Sequence, residues 1–553
     1  MKVIDSKIVD SGYEEFSKRP ELDYNLAYAA VLGLGKDTSK HHIFDFSLHR
    51  KLDRATTLAV ALALKEYIQK EFPNEERIGI ALPSCFPGVA VNLAVQMAGK
   101  SSVNVNFTMG ADAAKAAIER VNLNCIIGSN KIREKVSEHS PKYPWTDNFR
   151  DIGEILKKLG KKAIVPKLLM VKLLPPEALV KYYKIPTKGG DKEASIIFTS
   201  GSEGAPKAAV LSHRNLMSNV LQCREIGIIT EEDVLHANLP LFHSFGQTIQ
   251  VWFTSVIGVR QVCVQSPLEV QANLKAIREG CSTIMISTPT FLRSYYKRAT
   301  TADFPALTRV IAGAEKTPEG FDDAWNAKFP KSLYLEGYGL TETSPVDCVN
   351  LPLGLERNKK YCPAPSNNKK HSVGEMFPGM LAAIVDPESG EFLPLGETGL
   401  LYFKGPNVFR GYYNQPEENA KRFANGWLNT GDLAQIDEDG FIFIKGRLSR
   451  FSKIGGEMVP HHTVEMSIIK ALGVQESDKH VIAIGSRPDD AKGEALVLLT
   501  TIDIDIKNLR QQLTEAGLPN LWIPKTCVKI EEIPILGSGK LDLGKIQNIC
   551  KFS

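Results

Sequence analysis

Short apolar runs alternate with segments of helical apolar spacing along much of the chain. Residues 52–68 carry apolar side chains at helical spacing among good helix formers, so they predict a helix. The pattern that follows predicts, in order, a strand at 77–82, a helix near 86–99, a strand at 102–106, a helix at 111–121 and a strand at 125–128. Strands that alternate with helices indicate an α/β fold with a largely parallel sheet. The same alternation returns over 194–335, which predicts two related α/β layers.

The pattern changes in the last third of the chain. Residues 354–372 are polar and interrupted by proline, which predicts a loop. Apolar stretches at 382–386 and 398–403, with turn residues between and after them, predict a third and mostly β portion. The large domain is therefore expected to combine two α/β layers with a β portion.

The C-terminal part starts a new pattern beyond Gly446. A strand at 494–501 and a helix at 507–516 predict a small α+β domain of roughly 105 residues. The polar segment Gly446–Arg450 has the composition of a hinge. We expect a large domain over 1–446 and a mobile C-terminal domain over 447–553.

Residues 156–184 interrupt the alternation with lysines set among large apolar residues. Such a segment could lie on an anionic membrane or bind an acidic partner. The alternative is a helix that packs on its own domain with a solvated basic face. We favour that alternative because Pro166, Pro175 and Pro176 are expected to break any long amphipathic helix.

Composition narrows the class of protein. At 553 residues the chain is too long for one core. Its 43% hydrophobic and 24% charged residues are ordinary for a soluble globular protein, and a net charge of +4 gives no case for nucleic-acid binding. The nine cysteines include no C-x-x-C pair, which argues for reduced thiols and against a zinc site. We interpret His461 and His462 as surface or loop residues, because no cluster of ligands accompanies them.

The N-terminal residues resemble no targeting signal. They alternate charged and apolar side chains without the apolar core of a signal peptide. No uncharged apolar run is long enough to span a bilayer. We expect a cytoplasmic protein, and contact with a membrane surface is left open.

The chain is organised around the stretch Ile197–Lys207, which reads Ile-Phe-Thr-Ser-Gly-Ser-Glu-Gly-Ala-Pro-Lys. Free backbone N–H groups, small hydroxyls and one lysine in such a loop can surround a polyphosphate. It is neither a Walker loop, because Pro206 occupies the place of the second glycine, nor a dinucleotide fingerprint. A glycine-rich surface turn is the alternative for this loop taken alone.

Four further stretches carry candidate chemistry, and each alone has an ordinary structural explanation. They are Pro240-Leu-Phe-His-Ser-Phe-Gly246, Ala312-Gly-Ala-Glu315, Tyr338-Gly-Leu-Thr-Glu342 and Trp427-Leu-Asn-Thr-Gly-Asp432, the last followed by Arg447. Together and in this order, they resemble the adenylate-forming ligases, which include acyl- and aryl-CoA synthetases and luciferases. The resemblance covers roughly residues 50–548, including Gly537-Ser-Gly-Lys540. A closer likeness, carried by phrases such as Lys-Ile-Gly-Gly-Glu-Met-Val, is to the synthetase half of a bifunctional acyl-acyl-carrier-protein synthetase and acyltransferase.

The resemblance implies a nucleotide site with ATP and Mg²⁺. Thr199, Ser200, Ser202 and Lys207 would hold the β- and γ-phosphates. Glu342, together with Thr199, would hold Mg²⁺, and Thr341 would contact the α-phosphate. Tyr338, Gly313 and Ala314 would line the adenine slot, and Asp432 would bind the ribose with help from Arg447. The remaining members of the implied nucleotide-binding set are Gly201, Gly204, Glu315, Gly339 and Lys453.

The resemblance also implies a two-step reaction. A fatty acid carboxylate would attack the α-phosphorus of ATP, releasing pyrophosphate and forming an acyl-adenylate. Negative charge crowds that transition state, so fixed cations and hydrogen-bond donors would supply most of the catalysis. Lys540 of the small domain would bridge the α-phosphate and the carboxylate. The small domain would then swing about its hinge and open a channel for phosphopantetheine.

His243 and Phe245 would gate or line the acyl pocket, and residues 455–459 would face the thiol channel. Two departures from the family pattern are Glu203, where many members have threonine, and Arg450 at the hinge. The expected function is a fatty-acid ligase that loads acyl-carrier protein, with coenzyme A as the alternative acceptor. Two competing functions of a different class are a non-catalytic fatty-acid or nucleotide binder and a kinase-like phosphoryl transferase.

Overall fold

The computed structural model describes residues 2–199, 206–363, 365–454, 457–474, 481–489, 492–535 and 541–552. In the first 182 residues it contains eight strands and eight α-helices among the residues described. The strands are β1 (Lys2–Ile4), β2 (Ile8–Asp10), β3 (His41–Asp45), β4 (Arg50–Asp53), β5 (Arg77–Ala81), β6 (Ser101–Asn104), β7 (Cys125–Gly128) and β8 (Asn148–Asp151). The helices are α1 (Tyr13–Ser17), α2 (Leu26–Gly35), α3 (Arg54–Glu71), α4 (Phe86–Met97), α5 (Ala111–Arg120), α6 (Asn130–His139), α7 (Ile152–Leu173) and α8 (Pro176–Tyr182).

The second stretch, from 193 to 376, repeats the alternation of strands and helices. Its strands are β9 (Glu193–Thr199), β10 (Lys207–Ser212), β11 (Val234–Ala237), β12 (Arg260–Cys263), β13 (Ile284–Ser287), β14 (Arg309–Ala312), β15 (Leu333–Tyr338), β16 (Cys348–Val349) and β17 (Glu375–Met376). Its helices are α9 (His213–Ile226), α10 (Ser244–Gln247), α11 (Val270–Gly280), α12 (Pro289–Arg298) and α13 (Phe321–Lys328), and α10 continues into a π-helix over Thr248–Gly258.

These elements form two mostly parallel sheets, as the alternation predicts. One sheet has the order β10-β9-β6-β5-β7-β8, and the other has the order β17-β16-β15-β14-β13-β11-β12-β3-β4. The π-helix packs against α2 and α9, and its Trp252 and Phe253 are fully buried. The core of the large domain therefore includes the space between the two layers, around this helix.

The β portion completes the large domain. Its elements are β18 (Leu381–Val385), β19 (Thr398–Lys404), α14 (Pro416–Arg422), β20 (Phe423–Ala424), β21 (Trp427–Ile436) and β22 (Ile442–Arg447). The sheet also recruits β1 and β2 from the N-terminus, in the order β1-β2-β18-β19-β21-β20, with β22 on β21. The N-terminal pairing joins segments far apart in the chain, and the sequence pattern gave no sign of it.

The C-terminal part has its own sheet. Its elements are β23 (Phe451–Ile454), β24 (Glu457–Pro460), α15 (His461–Leu472), β25 (Ile482–Asp489), β26 (Gly493–Thr500), α16 (Ile506–Glu515), β27 (Thr526–Lys529) and α17 (Leu543–Lys551). The strand order is β24-β23-β26-β25, with β27 on β26. A 3-10 turn, Leu448–Arg450, connects β22 of the large sheet to β23 of the small one. The expected hinge therefore coincides with the passage from one sheet to the other, and the domain boundary after residue 446 stays a prediction.

The prediction that proline breaks the basic segment is wrong for Pro166. The helix α7 runs through Pro166, and its break lies at Gly160, where φ is 54° and ψ is −169°. Lys162, four residues before Pro166, is exposed, so water can satisfy the carbonyl that proline cannot. Glycine can adopt the backbone angles found at residue 160, whereas other residues avoid them because of their Cβ atom.

The prediction for His461 is also wrong. His461 begins α15 and is buried, with Nε2 2.7 Å from Ser452 Oγ. Burial lowers the pKa of His461 to about 3, so the ring is neutral at physiological pH. Its neighbour His462 is exposed, as expected.

Candidate active site

A short turn after β15 carries Thr341 and Glu342. Gly339 leads into it, and a Cβ there would lie 1.8 Å from the carbonyl oxygen of Pro345, so only glycine fits. The turn is held because Thr343 Oγ1 donates a hydrogen bond to the buried Asp347 carboxylate at 2.6 Å. Ser244 Oγ lies 3.2 Å from Thr341 Oγ1, which connects the turn to the start of α10.

The Glu342 side chain of this turn is buried, and two side chains contact its carboxylate. Tyr412 Oη donates to Glu342 Oε1 at 2.5 Å, and a guanidinium nitrogen of Arg422 lies 3.5 Å from the same oxygen. Burial and the nearby Glu342 carboxylate raise the pKa of Tyr412, so its phenol stays protonated and keeps donating. The carboxyl group is thus fixed in place in a buried position, with one oxygen engaged.

Lys207 contacts the same cluster through the ring of Tyr412, whose hydroxyl hydrogen-bonds Glu342. It pairs with Thr199 in the β9–β10 register, at the two ends of the expected phosphate loop. Its ammonium contacts the Glu418 carboxylate and lies 5.4 Å from the centre of the Tyr412 ring. Hydrogen bonds from Lys207 and then Lys421 lower the pKa of Glu418 to about 2. An incoming phosphate would compete with Glu418 for this lysine.

Several residues of the expected site lie outside the described residues. They are Ser200, Gly201, Ser202, Glu203 and Gly204 of the loop, Gly455 of the C-terminal part, and Lys540. Their implied roles stay predictions.

Asp432 sits on β21 in a clamp of two donors. Tyr338 Oη donates to one carboxylate oxygen at 2.5 Å, and Arg447 Nε lies 3.1 Å from the other. Burial, followed by the Asp432 charge, raises the pKa of Tyr338 well above its usual value, so this phenol also remains a donor. Gly431, the residue before Asp432, has a φ of 77°, a backbone geometry that favours glycine. A buried carboxylate with fixed oxygens is suited to accept a pair of neighbouring hydroxyls.

Arg422 joins the two carboxylate regions. Besides Glu342, its guanidinium donates to the backbone oxygen of Asn429 at 2.9 Å and lies 3.4 Å from Tyr412 Oη. The motifs quoted from the sequence do not contain Arg422, Tyr412 or Glu418. Their only sequence signal is the run Gly411–Arg422, whose charged and aromatic residues lie a short distance before Asp432.

The expected adenine slot lies at the ends of β14 and β15. A Cβ at Gly313 would lie 3.4 Å from the carbonyl of Gly337 and 3.6 Å from the ring of Phe245, so this corner is narrow. Ala314 has a positive φ of 68°. The Glu315 carboxylate accepts from Thr290 Oγ1 at 2.6 Å, so it supports the start of α12.

His243 and Lys453, two residues of the expected site, contact side chains outside the cluster around Glu342 and Asp432. His243 is exposed before α10, with its ring centre 4.9 Å from that of Phe242. The Lys453 ammonium contacts the carboxylate of Glu388, which follows β18 in the large domain. The structure thus brings Lys207, Glu342, Tyr338, Asp432 and Arg447 into one continuous region, and it pairs Lys453 with a different surface.

The model of the family described as AMP-binding enzymes matches residues 49–413, about two thirds of the chain. The chain belongs to the AMP-binding enzyme family. Membership accounts for the order of the motifs and makes the chain an adenylate-forming, ATP-using ligase by family. The match ends at residue 413, so Arg422, Asp432 and Arg447 lie beyond it.

Curated relatives align over much of this range. The long-chain-fatty-acid–CoA ligase of Salmonella typhimurium is 28% identical over 406 residues, which are 70% of this chain and 67% of the relative. The enzyme of the same name from Bacillus subtilis is 28% identical over 357 residues, 63% of this chain and 60% of the relative. The alignment thus spans less than two thirds of the Bacillus relative's length.

Solved structures resemble the whole chain. ATP-bound MatB from Rhodopseudomonas palustris superposes with a TM-score of 0.73 at 22% identity, covering 95% of this chain and 99% of that one. The o-succinylbenzoate CoA synthetase MenE of Bacillus subtilis, solved with its acyl-adenylate OSB-AMP, gives a TM-score of 0.72 at 20% identity, covering 95% and 98%. At these identities the likeness shows the α/β fold with a smaller C-terminal domain.

Proposed function

We propose that this chain is an ATP-dependent fatty-acid ligase that forms an acyl-adenylate and then transfers the acyl group to a phosphopantetheine thiol. The observation that carries the proposal is the unbroken set of contacts from Lys207 through Tyr412 and Glu342 to Arg422, beside the clamped Asp432. In order, these groups are the Lys207 ammonium, the buried Glu342 carboxylate, the Arg422 guanidinium and the Asp432 carboxylate, which can accept hydrogen bonds from two neighbouring hydroxyls. Such an arrangement suits the phosphates and ribose of a nucleotide.

The chemistry follows from the charges. Attack of a carboxylate on the α-phosphorus brings two anions together, so the site must offset negative charge. Lys207 would exchange its Glu418 partner for a phosphate, and Arg422 would remain as a fixed positive charge near the Glu342 carboxylate. Asp432, held by Tyr338 and Arg447, would orient the ribose and so the α-phosphorus. Lys540 is proposed to bridge the two reacting groups.

Glu342 fits a magnesium site by its donor chemistry. It is a buried carboxylate with one oxygen engaged by Tyr412, and Mg²⁺ in nucleotide sites is commonly held by one or two carboxylates plus phosphate oxygens and water. Glu342, with Thr199, would hold the ion, which when bound would neutralise charge on the phosphates.

Acyl-carrier protein is our first candidate for the thiol acceptor, because several sequence phrases resemble those of an acyl-carrier-protein synthetase. Coenzyme A is the second candidate, and two observations favour it. The aligned relatives named above are CoA ligases. In addition, an acidic carrier protein calls for a basic surface, which either the lysine-rich segment 157–172 or Arg447, Arg450 and Lys453 could provide. The last three are each paired with an acid of this chain.

Pyrophosphate exchange tests the first half of the reaction. Label should move from pyrophosphate into ATP only when a fatty acid is present, and AMP should be the product of turnover. No fatty-acid-dependent exchange would instead support a non-catalytic binder, and ADP as product would support a phosphoryl transferase.

A variant of the C-terminal lysine separates the two half-reactions. Lys540→Ala should abolish exchange yet leave thioester formation from pre-made acyl-adenylate largely intact. Lys545→Ala, at a lysine whose side chain is 72% exposed, is the matched control and should leave both steps unchanged. Equal loss of both half-reactions in Lys540→Ala would refute its assignment.

A comparison of acceptors decides the second step. Purified enzyme would be given holo-acyl-carrier protein or coenzyme A across a series of fatty-acid chain lengths. Preference for the carrier protein in kcat/KM supports our first candidate. Equal or better use of coenzyme A would make the protein a fatty-acyl-CoA ligase.

A further inference from the structure

We propose that the outer face of α7, together with its flanking lysines, docks the protein on the surface of an anionic phospholipid bilayer. The face consists of one apolar row, Val165, Leu169 and Leu173, whose side chains are exposed by 44%, 56% and 77% of their surface. These residues are spaced by four, so they lie one above another along the helix. We call them, with Lys161, Lys162 and Lys172, the α7 stripe.

The lysines of the α7 stripe flank the apolar row. At 100° per residue, Lys161, Lys162 and Lys172 fall on the same side of the helix as Val165 and Leu169. All three are exposed, and none forms an ion pair with a residue that the structure describes. Lysine stems can lie along apolar surface while their ammonium groups reach outward to phosphate.

The opposite face of α7 holds the helix in place. Val171 is buried, and Lys167 pairs with Glu66 of α3 at 2.7 Å. The helix packs along α3, so the α7 stripe is presented outward by the folded domain. The kink at Gly160 sets the direction of the second half of the helix, which carries all six residues.

Charge is concentrated in this segment. Residues 157–182 contain seven lysines and one acid, Glu177, a net charge of +6 against +4 for the whole chain. The rest of the protein is therefore slightly acidic. A polybasic segment beside exposed apolar residues is attracted to anionic lipid and then inserts its apolar row between headgroups.

The composition of the α7 stripe favours lipid over two other occupants. A second copy joined by two-fold symmetry would bring its own lysines against these lysines, which repel. An acidic protein would best meet a charged centre, whereas the centre of this face is an apolar row. No helix among the described residues is both long and apolar enough to cross a bilayer, so the proposed contact is with the surface.

Vesicle sedimentation tests the proposal with the full-length protein. Wild type should bind vesicles of phosphatidylglycerol mixed with phosphatidylcholine, bind pure phosphatidylcholine weakly, and lose binding as salt rises. The triple variant Val165→Ser, Leu169→Ser, Leu173→Ser and the triple variant Lys161→Gln, Lys162→Gln, Lys172→Gln should each lower partition by roughly 10- to 100-fold.

Matched controls come from exposed leucines elsewhere. Leu268 and Leu353 are 75% and 74% exposed, so the double variant Leu268→Ser, Leu353→Ser removes similar apolar surface outside α7 and should bind vesicles like wild type. Thermal melting checks that each variant is folded, since the substituted side chains are exposed.

Three outcomes would overturn the proposal. Unchanged vesicle binding in both triple variants would exclude α7 as the docking face. A dimer that the serine variant dissociates in light scattering, without vesicle binding by wild type, would assign the face to a second copy. Binding of acidic carrier protein that only the glutamine variant loses, again without vesicle binding, would assign it to a protein partner.

Discussion

Arg422 adds to the site a positive charge that the sequence did not lead us to expect, besides Lys207 and Arg447. It is held by the backbone oxygen of Asn429 and faces both Glu342 and Tyr412. Because its side chain is largely buried and its partners are fixed, its charge is oriented before substrate arrives. A preoriented charge in a site with little water is worth more than a surface charge.

We therefore expect Arg422→Gln to lower fatty-acid-dependent pyrophosphate exchange by roughly 10²-fold, in the range found when one fixed donor to a transition state is removed. Exchange rates measured at saturating ATP would show the effect in kcat. Melting temperature would be recorded to confirm that the variant is folded.

The control for this change is Arg410→Gln. Arg410 has a side chain 69% exposed and pairs with Asp191 at 2.6 Å, so its loss should change activity and stability little. If Arg410→Gln and Arg422→Gln reduce exchange equally, Arg422 has no special role.

Only some residues of the site could be identified from the sequence. Glu342 and Asp432 could be selected because each belongs to a short pattern of recognisable chemistry. Arg422 and Tyr412 could not, because their importance comes from contacts with residues about 70 to 80 positions away in the chain. His461 was misjudged for a related reason, because its burial comes from the packing of α15 on α16 and β25, which the composition around the residue does not show.

At the scale of elements, α7 shows how one glycine directs a helix. Gly160 has backbone angles that only glycine adopts readily, and they divide the helix into two segments. The second segment lies along α3 and carries the α7 stripe outward. The proline expected to end the helix is accommodated on its exposed side.

We expect Gly160→Ala to lower the free energy of unfolding by about 1–3 kcal/mol, because alanine must adopt this strained conformation or straighten the kink. A Cβ at this position would meet no atom within 4 Å, so the cost is one of backbone conformation. Urea denaturation of the wild type and the variant would measure it.

Gly110→Ala is the matched control. A Cβ there also meets nothing within 4 Å, but φ is −60°, which alanine adopts freely. Its cost should be about 0.5 kcal/mol, because alanine is a poorer residue than glycine at the N-cap of α5. Equal costs at the two positions would mean that the backbone at residue 160 is not strained.

At the scale of the whole molecule, four of the histidines that the structure describes are buried. They are His42, His213, His236 and His461. Burial lowers the pKa of His42 and His461 to about 3 and of His213 and His236 to about 4. In the unfolded chain each imidazole would take up a proton near pH 6.5.

The protein should therefore lose stability as the pH falls from about 6.5 towards 4. The unfolded state binds protons in this window and the folded state does not, so each buried histidine favours unfolding by about 1.4 kcal/mol per pH unit. Melting temperatures measured across a pH series in constant salt would show the fall.

Substitution of one histidine tests the cause. His236→Gln removes one such proton, so its stability should depend less steeply on pH, even if it is lower at neutral pH. His139→Gln, at an exposed histidine, should keep the wild-type slope. An unchanged slope in His236→Gln would show that this histidine does not take up a proton on unfolding.

The sequence by itself determined the alternation of strands and helices, the order of the motifs and the family, because these depend on local spacing and on short patterns of residue type. The tertiary structure alone decided which side chains meet: Lys207 with Glu418, Tyr412 with Glu342, and Arg422 between the two carboxylate regions. It also decided which face of α7 is covered by α3 and which is left exposed. The physical reason is that burial and charge pairing arise between segments distant in the chain, and local periodicity carries no information on those contacts.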